Sequence, residues 1–259
     1  MTDERFRSPG GFIRQVALPS RAVTGSYPFI LPAVRYLADS GGLSLQPGVT
    51  FLVGENGSGK STLLEAIAVA TGLNPEGGSQ NYRFATRSTE SLLGEQLVVR
   101  WGVDKPRSRF FLRAESYYNV ATESERLGPD QLAALGGISP HERSHGESFV
   151  DLMVHRFHPC GLYLLDEPEA ALSVRGCMAV LARLTELANQ SCQIIVATHS
   201  PILLALPGAA ILEIADDGTI GPVSYDEAMP VRLTREFLSA PEKILHYLLT
   251  EDPDEPFGH

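Results

Sequence analysis

The sequence predicts an α/β protein with a mainly parallel sheet flanked by helices. In its second half, short apolar runs alternate with longer stretches of helical spacing, as strands joined by crossover helices do. In its first half, the apolar run 49–53 leads through a glycine-rich turn into a helical stretch. The chain has 259 residues, enough for one large α/β domain, so we predict a single domain over 1–259.

The first elements are predicted to form a small N-terminal β-layer. Short β-rich pieces at 12–18, 29–34 and 43–45 alternate with proline and glycine turns. After the glycine-rich turn, a helix is expected over 61–71, with Gly72 as its C-terminal cap. The β-layer therefore precedes the first strand and helix of the main sheet.

The middle of the chain is predicted to carry an insertion at about 84–145. Strand-like runs at 96–102 and 109–113 flank a basic turn, which predicts a hairpin. The following stretch, 114–143, is polar, has helical spacing and is broken by glycine and proline. We therefore expect a hairpin followed by a small helical subdomain.

The second half of the chain supplies the regular alternation of helices and strands. It ends in an acidic tail, 250–259, which is expected to fray. The predicted helices are 147–157, 172–189 and 232–249, and the predicted strands are 162–165, 193–197 and 210–214, with a turn leading to Ile220.

Composition restricts the class of function. The net charge of −10 argues against non-specific binding to nucleic acid or anionic membranes, which depends on clustered basic side chains. Cys160, Cys177 and Cys192 are odd in number and widely spaced, so free thiols are expected rather than disulfides or a metal site. The N-terminus lacks the apolar segment of a secretory signal, and no apolar run is long enough to span a bilayer. We expect a cytoplasmic protein.

The glycine-rich turn at 54–62 has the pattern of a phosphate-binding loop, G-x-x-x-x-G-K-[ST]. Its glycines let successive backbone N–H groups turn toward phosphate oxygens, and the next helix directs its positive dipole end at them. Lys60 is predicted to neutralise the β- and γ-phosphates, and Ser61 to offer its hydroxyl to Mg²⁺. The candidate nucleotide-binding residues of this phosphate loop are Gly54, Glu55, Asn56, Gly57, Ser58, Gly59, Lys60, Ser61 and Thr62.

Two carboxylates end the apolar strand 162–165 and complete this nucleotide site. Neighbouring residues of a strand point to opposite faces, so Asp166 and Glu167 can take different roles. We predict that Asp166 holds Mg²⁺, directly or through water, and that Glu167 polarises the attacking water near the γ-phosphate.

With these motifs the chain resembles the ABC-type ATPases, including small stand-alone bacterial AAA/ABC-like members. The phosphate loop (Walker A), a signature loop, the Asp-Glu strand (Walker B) and a switch histidine follow one another in that family's order. The segment Ala197-Thr198-His199-Ser200 supplies the histidine. The resemblance implies that His199 contacts the γ-phosphate and that the protein hydrolyses ATP with Mg²⁺.

The signature loop is the least regular part of the resemblance. The family's L-S-G-G-Q is matched by Arg143-Ser144-His145-Gly146-Glu147, in which His145 replaces a glycine. The resemblance implies that this loop reaches across an ATP-sandwiched homodimer to the γ-phosphate bound by the partner subunit. Ser144, Gly146 and Glu147 are the candidate residues for that contact.

Three further family positions are less regular. Ser173 replaces the aspartate that the family commonly places after the Walker B strand. Glu115 is the expected counterpart of the Q-loop glutamine, with Gln80 and Gln96 as weaker alternatives. An aromatic residue often stacks on the adenine, and Tyr27, Phe29 and Tyr36 are the candidates.

Three functions fit these motifs. The first is a stand-alone ATPase whose homodimer drives an unknown partner, since the stretch between Lys60 and Ser144 is too short for a long coiled coil. The second is the cytoplasmic ATP-binding subunit of an ABC transporter. The third is an ATP-gated dimer that binds DNA or acts in repair, for which the basic residues Arg83, Arg87, Lys105, Arg107 and Arg109 are the candidates.

Overall fold

The computed structural model describes residues 11–22, 25–75, 77–78, 91–114 and 145–249 of the chain. Some residues that the sequence analysis named as functional candidates lie outside these ranges: Gln80, Arg83, Arg87, Glu115, Arg143 and Ser144. The predicted helical subdomain up to residue 144 and the tail 250–259 also lie outside the described residues. The single domain over 1–259 and its inserted subdomain therefore remain predictions.

A three-stranded antiparallel sheet forms the predicted N-terminal β-layer. Its strands are β1 (Ile13–Ala17), β2 (Leu43–Ser44) and β4 (Val98–Trp101), in the order β2-β1-β4. Between β1 and β2 the chain forms a short 3₁₀ turn, Ser20–Ala22, and helix α1, Pro32–Asp39. The strands expected near 12–18 and 43–45 are confirmed.

Among the described residues, six strands form the central sheet. They are β3 (Gly48–Gly54), β5 (Ser108–Arg113), β6 (Gly161–Asp166), β7 (Gln193–Ala197), β8 (Ala210–Ile214) and β9 (Ile220–Val223). Their order in the sheet is β5-β6-β7-β3-β8-β9. Every neighbouring pair is parallel except β8 and β9, so the predicted mainly parallel sheet is confirmed.

Helices cover both faces of this sheet, because alternate residues of its strands point in opposite directions. The helices after α1 are α2 (Lys60–Ala70), α3 (Ser91–Gln96), α4 (His145–Arg156), α5 (Val174–Asn189), α6 (Pro201–Leu204), α7 (Met229–Ser239) and α8 (Pro241–Leu249). Phe51 of β3 belongs to the core that packs against α4, α5, α6 and α7, whereas the next residue, Leu52, belongs to the core that packs against α1, α2 and α3.

Three predictions about local structure are wrong. The single helix expected over 232–249 is two helices, α7 and α8, which are separated at Ala240 before Pro241. The runs 96–102 and 109–113 do not form a hairpin, because β4 pairs with β1 whereas β5 pairs with β6 in the other sheet. The β-rich piece expected at 29–34 instead leads into helix α1, where Pro32 occupies the first helical turn. In that helix Ala33, Val34 and Leu37 are buried on one face, at helical rather than strand spacing.

Gln193 joins the two sheets at the start of β7. Its side chain accepts a hydrogen bond from the backbone N–H of Ile13 at 2.7 Å and donates to the Ile13 carbonyl at 2.8 Å. It also donates to the Gln46 carbonyl at 3.0 Å, just before β3. These bonds fix the β-layer against the strand that leads into the phosphate loop.

Within the part of the chain that the structure describes, the helices are all too short or too polar to cross a membrane.

Candidate nucleotide-binding site

The phosphate loop connects the carboxyl end of β3 to the N-terminus of α2. Gly54 ends β3 with φ 149°, and a Cβ atom there would lie 2.7 Å from the carbonyl oxygen of Ile214. Gly59 precedes the first helical residue with φ 101°, a left-handed conformation that favours glycine. The chain therefore turns tightly between strand and helix, as the sequence motif predicts.

Lys60 is the first residue of α2 and is only 4% exposed. Its ammonium group donates hydrogen bonds to the carbonyl oxygens of Gly54 at 2.9 Å and Glu55 at 3.0 Å. Burial lowers the pKa of Lys60, and the nearby carboxylates of Glu167 and Asp166 oppose that shift. The cation is therefore held by backbone carbonyls close to the carboxylates of Asp166, which ends β6, and Glu167, which follows it.

Ser61 and Asp166 meet at the edge of the sheet. The Ser61 hydroxyl donates a hydrogen bond to Oδ1 of Asp166 at 2.8 Å, although the residues are 105 positions apart. Asp166 ends β6, which is separated from β3 only by β7, so the sheet order brings its carboxylate to the start of α2. A hydroxyl and a carboxylate are oxygen donors of the kind that Mg²⁺ prefers, so the donor set fits this ion.

Glu167 and His199 face each other beside this pair. Glu167 has a left-handed backbone, φ 47°, which is uncommon outside glycine and recurs at functional sites. Its Oε1 lies 3.7 Å from Nε2 of His199. Nε2 of His199 is buried and has no hydrogen-bond partner among the described residues. The structure thus brings together both residues that were predicted to be catalytic.

Glu169 connects the two segments that carry Glu167 and His199, and the motifs did not reveal it. Its Oε1 accepts hydrogen bonds from the Thr198 hydroxyl at 2.7 Å and from the backbone N–H of His199 at 2.6 Å. The sequence contained one indication of its role, because Glu169 is the third acidic residue in the stretch Asp166-Glu167-Pro168-Glu169.

Arg113 and Glu65 were also missed. Arg113 ends β5, and its guanidinium lies between Glu65 of α2 and Asp166 of β6. The sequence contained an indication of this contact, because Glu65 is the only charged residue in the apolar run 63–68. A buried acidic side chain needs a cation or a hydrogen-bond donor nearby.

The signature segment is described only in part. Helix α4 begins at His145, two residues earlier than expected, so Gly146 and Glu147 lie in its first turn. The Ser173 hydroxyl accepts a hydrogen bond from the backbone N–H of Gly176 at 3.2 Å, which makes Ser173 the N-cap of α5.

Of the three aromatic candidates for adenine stacking, Tyr27 has the suitable environment. It is half exposed, and its hydroxyl lies 3.5 Å from the Thr62 hydroxyl at the end of the phosphate loop. Phe29 is buried in the core, and Tyr36 packs against the same core. Gln96, a weaker candidate for the Q-loop residue, is the last residue of α3.

The fold and the candidate site have the arrangement expected of a P-loop nucleotide-binding protein. A family model described as an AAA domain matches residues 34–124, which include the phosphate loop. The macrolide export ATP-binding/permease protein MacB of Hahella chejuensis is 28% identical over 215 residues, which cover 73% of this chain and 31% of that protein. The pyoverdine export ATP-binding/permease protein PvdT of Pseudomonas entomophila is 28% identical over 222 residues, covering 73% and 32%. The chain thus spans about a third of the length of these curated relatives.

Among solved structures, CbiO1 of Clostridium perfringens, part of the ABC transporter complex CbiONQ, is similar to this chain. It has a TM-score of 0.46 and 18% identity, and the match covers 93% of this chain and 100% of that one. The motifs, the site and the matches to the family model and to the export proteins support an ABC-type P-loop ATPase.

Proposed function

We propose that this protein binds ATP with Mg²⁺ in the phosphate loop and hydrolyses it, working as an ATP-sandwiched homodimer that drives a partner. The single observation that carries the proposal is the hydrogen bond from the Ser61 hydroxyl to the Asp166 carboxylate. It joins the residue that follows Lys60 in the phosphate loop to the end of the Walker B strand. Both proposed ligands of Mg²⁺ therefore face one position.

The proposed roles follow from the chemistry of each side chain. Lys60 and the backbone N–H groups of the loop bind the β- and γ-phosphates. Bound Mg²⁺ neutralises charge on the phosphate oxygens. The Glu167 carboxylate orients the attacking water and accepts its proton. The His199 nitrogen that has no hydrogen-bond partner among the described residues donates to a γ-phosphate oxygen.

The proposed homodimer rests on the resemblance. In this arrangement the backbone N–H groups in the first turn of α4, at Gly146 and Glu147, lie at a helix N-terminus and can bind the γ-phosphate of the partner subunit. Ser144 is proposed to contribute its hydroxyl. Glu167 and His199 then act from the subunit that holds the phosphates in its own phosphate loop.

A second candidate function is the ATP-binding part of a transport system. It is favoured by the similarity to export proteins whose names include both an ATP-binding and a permease function. In that case the partner driven by ATP is a membrane protein. We propose the cytoplasm as the location, because ATP is available there.

Replacement of Lys60 by alanine tests the proposed function. We expect Lys60→Ala to lose affinity for a fluorescent ATP analogue at least about 100-fold, because the phosphates lose a buried, charge-assisted contact. Lys105→Ala is the matched control, since Lys105 lies over the Trp101 ring, in the turn between β4 and β5. Unchanged affinity in Lys60→Ala would exclude the phosphate loop as the nucleotide site.

A further inference from the structure

Glu65, Arg113 and Asp166 form a network of ionic contacts next to the phosphate loop. Nη1 of Arg113 donates a hydrogen bond to Oε2 of Glu65 at 3.2 Å, and its Nε lies 3.3 Å from Oδ2 of Asp166. The exposed fractions of the side chains are 21% for Arg113, 7% for Glu65 and 5% for Asp166. These contacts therefore operate largely out of water, where ionic interactions are strong.

The sheet determines this arrangement. Arg113 and Asp166 are the last residues of the neighbouring parallel strands β5 and β6, and they are paired in register. Glu65 lies in α2, the helix that follows the phosphate loop, and α2 packs against the same sheet. Arg113 thus connects the helix that begins at the phosphate loop to the strand that ends at the proposed Mg²⁺ ligand.

The two oxygens of the Asp166 carboxylate consequently have different neighbours. Oδ1 accepts the hydrogen bond from Ser61, whereas Oδ2 lies next to the guanidinium of Arg113. Contacts on both oxygens fix the rotation of the carboxylate about its last torsion. A carboxylate that binds a metal ion through one oxygen is commonly oriented in this way through the other.

We propose that Arg113 is a positioning residue for the Mg²⁺ site. It holds Oδ2 of Asp166, so that Oδ1 stays directed at Ser61 and the phosphate loop. Glu65 in turn fixes the guanidinium and cancels its charge, so that the pair does not repel a divalent cation. The inference rests on the proposed function, because Asp166 is the metal ligand there.

A purely structural ion pair would behave differently. Replacing a buried ion pair by apolar side chains of similar size is often neutral or stabilising, and a pair that only ties α2 to the sheet would leave metal affinity unchanged. A positioning residue changes metal affinity even when the protein remains folded. Metal binding measured apart from turnover therefore distinguishes the two roles.

The decisive variant is Glu65→Met/Arg113→Met, which removes both charges and keeps the net charge of the site. Mn²⁺ serves as the probe, because its paramagnetic resonance signal reports the free ion in a titration of the full-length protein with ADP. We expect the dissociation constant of Mn²⁺ to rise about tenfold or more, the range typical when a residue supporting a metal ligand is lost. The affinity for ADP in EDTA should not change.

Two further variants complete the experiment. Arg113→Lys keeps the charge but loses the planar group that contacts both carboxylates, so a smaller loss of Mn²⁺ affinity is expected. Arg109→Met is the matched control, since Arg109 lies on the same strand and donates to the Thr71 carbonyl at 2.7 Å. This control should bind Mn²⁺ like the wild type.

Each outcome decides between the alternatives. Mn²⁺ affinity that is unchanged or higher in the folded double variant overturns the inference, as does an equal loss in Arg109→Met. If the melting temperature shows that the double variant is unfolded, Arg113→Lys decides, and wild-type Mn²⁺ affinity there overturns the inference. A wild-type chain that binds no ADP contradicts the proposed function itself.

Discussion

The Glu169 carboxylate accepts a hydrogen bond from the backbone N–H of His199 at 2.6 Å. The same oxygen accepts a bond from the Thr198 hydroxyl at 2.7 Å. Glu169 lies two residues after Glu167, the proposed general base. Its side chain therefore ties the segment of Glu167 to the segment of His199, the proposed γ-phosphate contact. The arrangement of the site therefore depends on a residue that is not expected to contact the nucleotide.

Removing this link should impair turnover more than binding. We expect Glu169→Ala to lower kcat about 10- to 100-fold, because small misplacements of catalytic groups have effects of this size. The affinity for ATP should stay close to that of the wild type, since Lys60 and the loop backbone are unaffected. Steady-state hydrolysis together with equilibrium binding of a fluorescent ATP analogue separates the two effects.

Glu169→Gln is the matched control for this prediction. Its amide oxygen can still accept both hydrogen bonds, so most of the wild-type turnover should remain. Equal loss of turnover in the alanine and glutamine variants would show that the carboxylate charge, rather than the link to His199, matters.

The sequence predicted which residues of the candidate site lie close together wherever its motifs are local. The phosphate loop occupies a single turn between a strand and a helix, and Asp166 ends an apolar strand that Glu167 directly follows. The order of parallel strands then brings these two segments to one edge of the sheet. The hydrogen bond between Ser61 and Asp166 is the direct result.

The rest of the site and fold depends on contacts between distant segments. Residues 109–113 were predicted to pair with the strand just before them in the sequence. Instead, Phe110, Phe111 and Leu112 are buried on both faces, as in a parallel sheet that is covered by helices on both sides. Asp166 lies opposite Arg113 because strand β5 adjoins strand β6. No local sequence pattern indicates that these two strands are neighbours. Glu169 was missed for the same reason, since its partners lie 29 and 30 positions away.

Replacement of Glu167 by glutamine tests the homodimer. Glutamine cannot accept a proton from water, so Glu167→Gln should bind ATP, hydrolyse it slowly and accumulate as a dimer with ATP and Mg²⁺. Light scattering coupled to size exclusion measures the mass. Glu186→Gln is the control, because Glu186 is exposed on α5 and pairs only with Arg183 among the described residues. A monomeric Glu167→Gln protein under these conditions would contradict the ATP-sandwiched arrangement.

The three cysteines should differ in reactivity. Burial raises the pKa values of Cys177 and Cys192, so that little of either thiol is ionised near pH 8. Cys160 is only partly buried. We expect a disulfide reagent such as Ellman's reagent to modify Cys160 quickly and the other two slowly. Mass spectrometry of digested protein identifies the modified residues, and rapid modification of Cys192 in the native protein would contradict the prediction.

Among the described residues, Tyr163 is the largest fully buried side chain. Its hydroxyl has three polar partners. It donates to the His158 carbonyl at 2.8 Å, accepts from the backbone N–H of His158 at 2.6 Å and lies 2.6 Å from the Ser108 hydroxyl. Tyr163→Phe should lower the free energy of unfolding by about 1–3 kcal/mol, because these partners lose a buried hydrogen bond. The ring remains stacked on Phe157 at 4.0 Å, so no large cavity forms.

The loss of unfolding free energy in Tyr163→Phe should depend on pH, because the phenol of Tyr163 can ionise. Burial raises the pKa of Tyr163 from 10.0 to about 12, so the folded state favours the neutral phenol. Its contribution is complete below pH 10 and is lost as the pH rises toward 12. The difference in unfolding free energy between wild type and Tyr163→Phe should therefore shrink over that interval in denaturant titrations. Tyr247→Phe, on the exposed helix α8, should match the wild type throughout, and a pH-independent difference for Tyr163→Phe would contradict the shifted pKa.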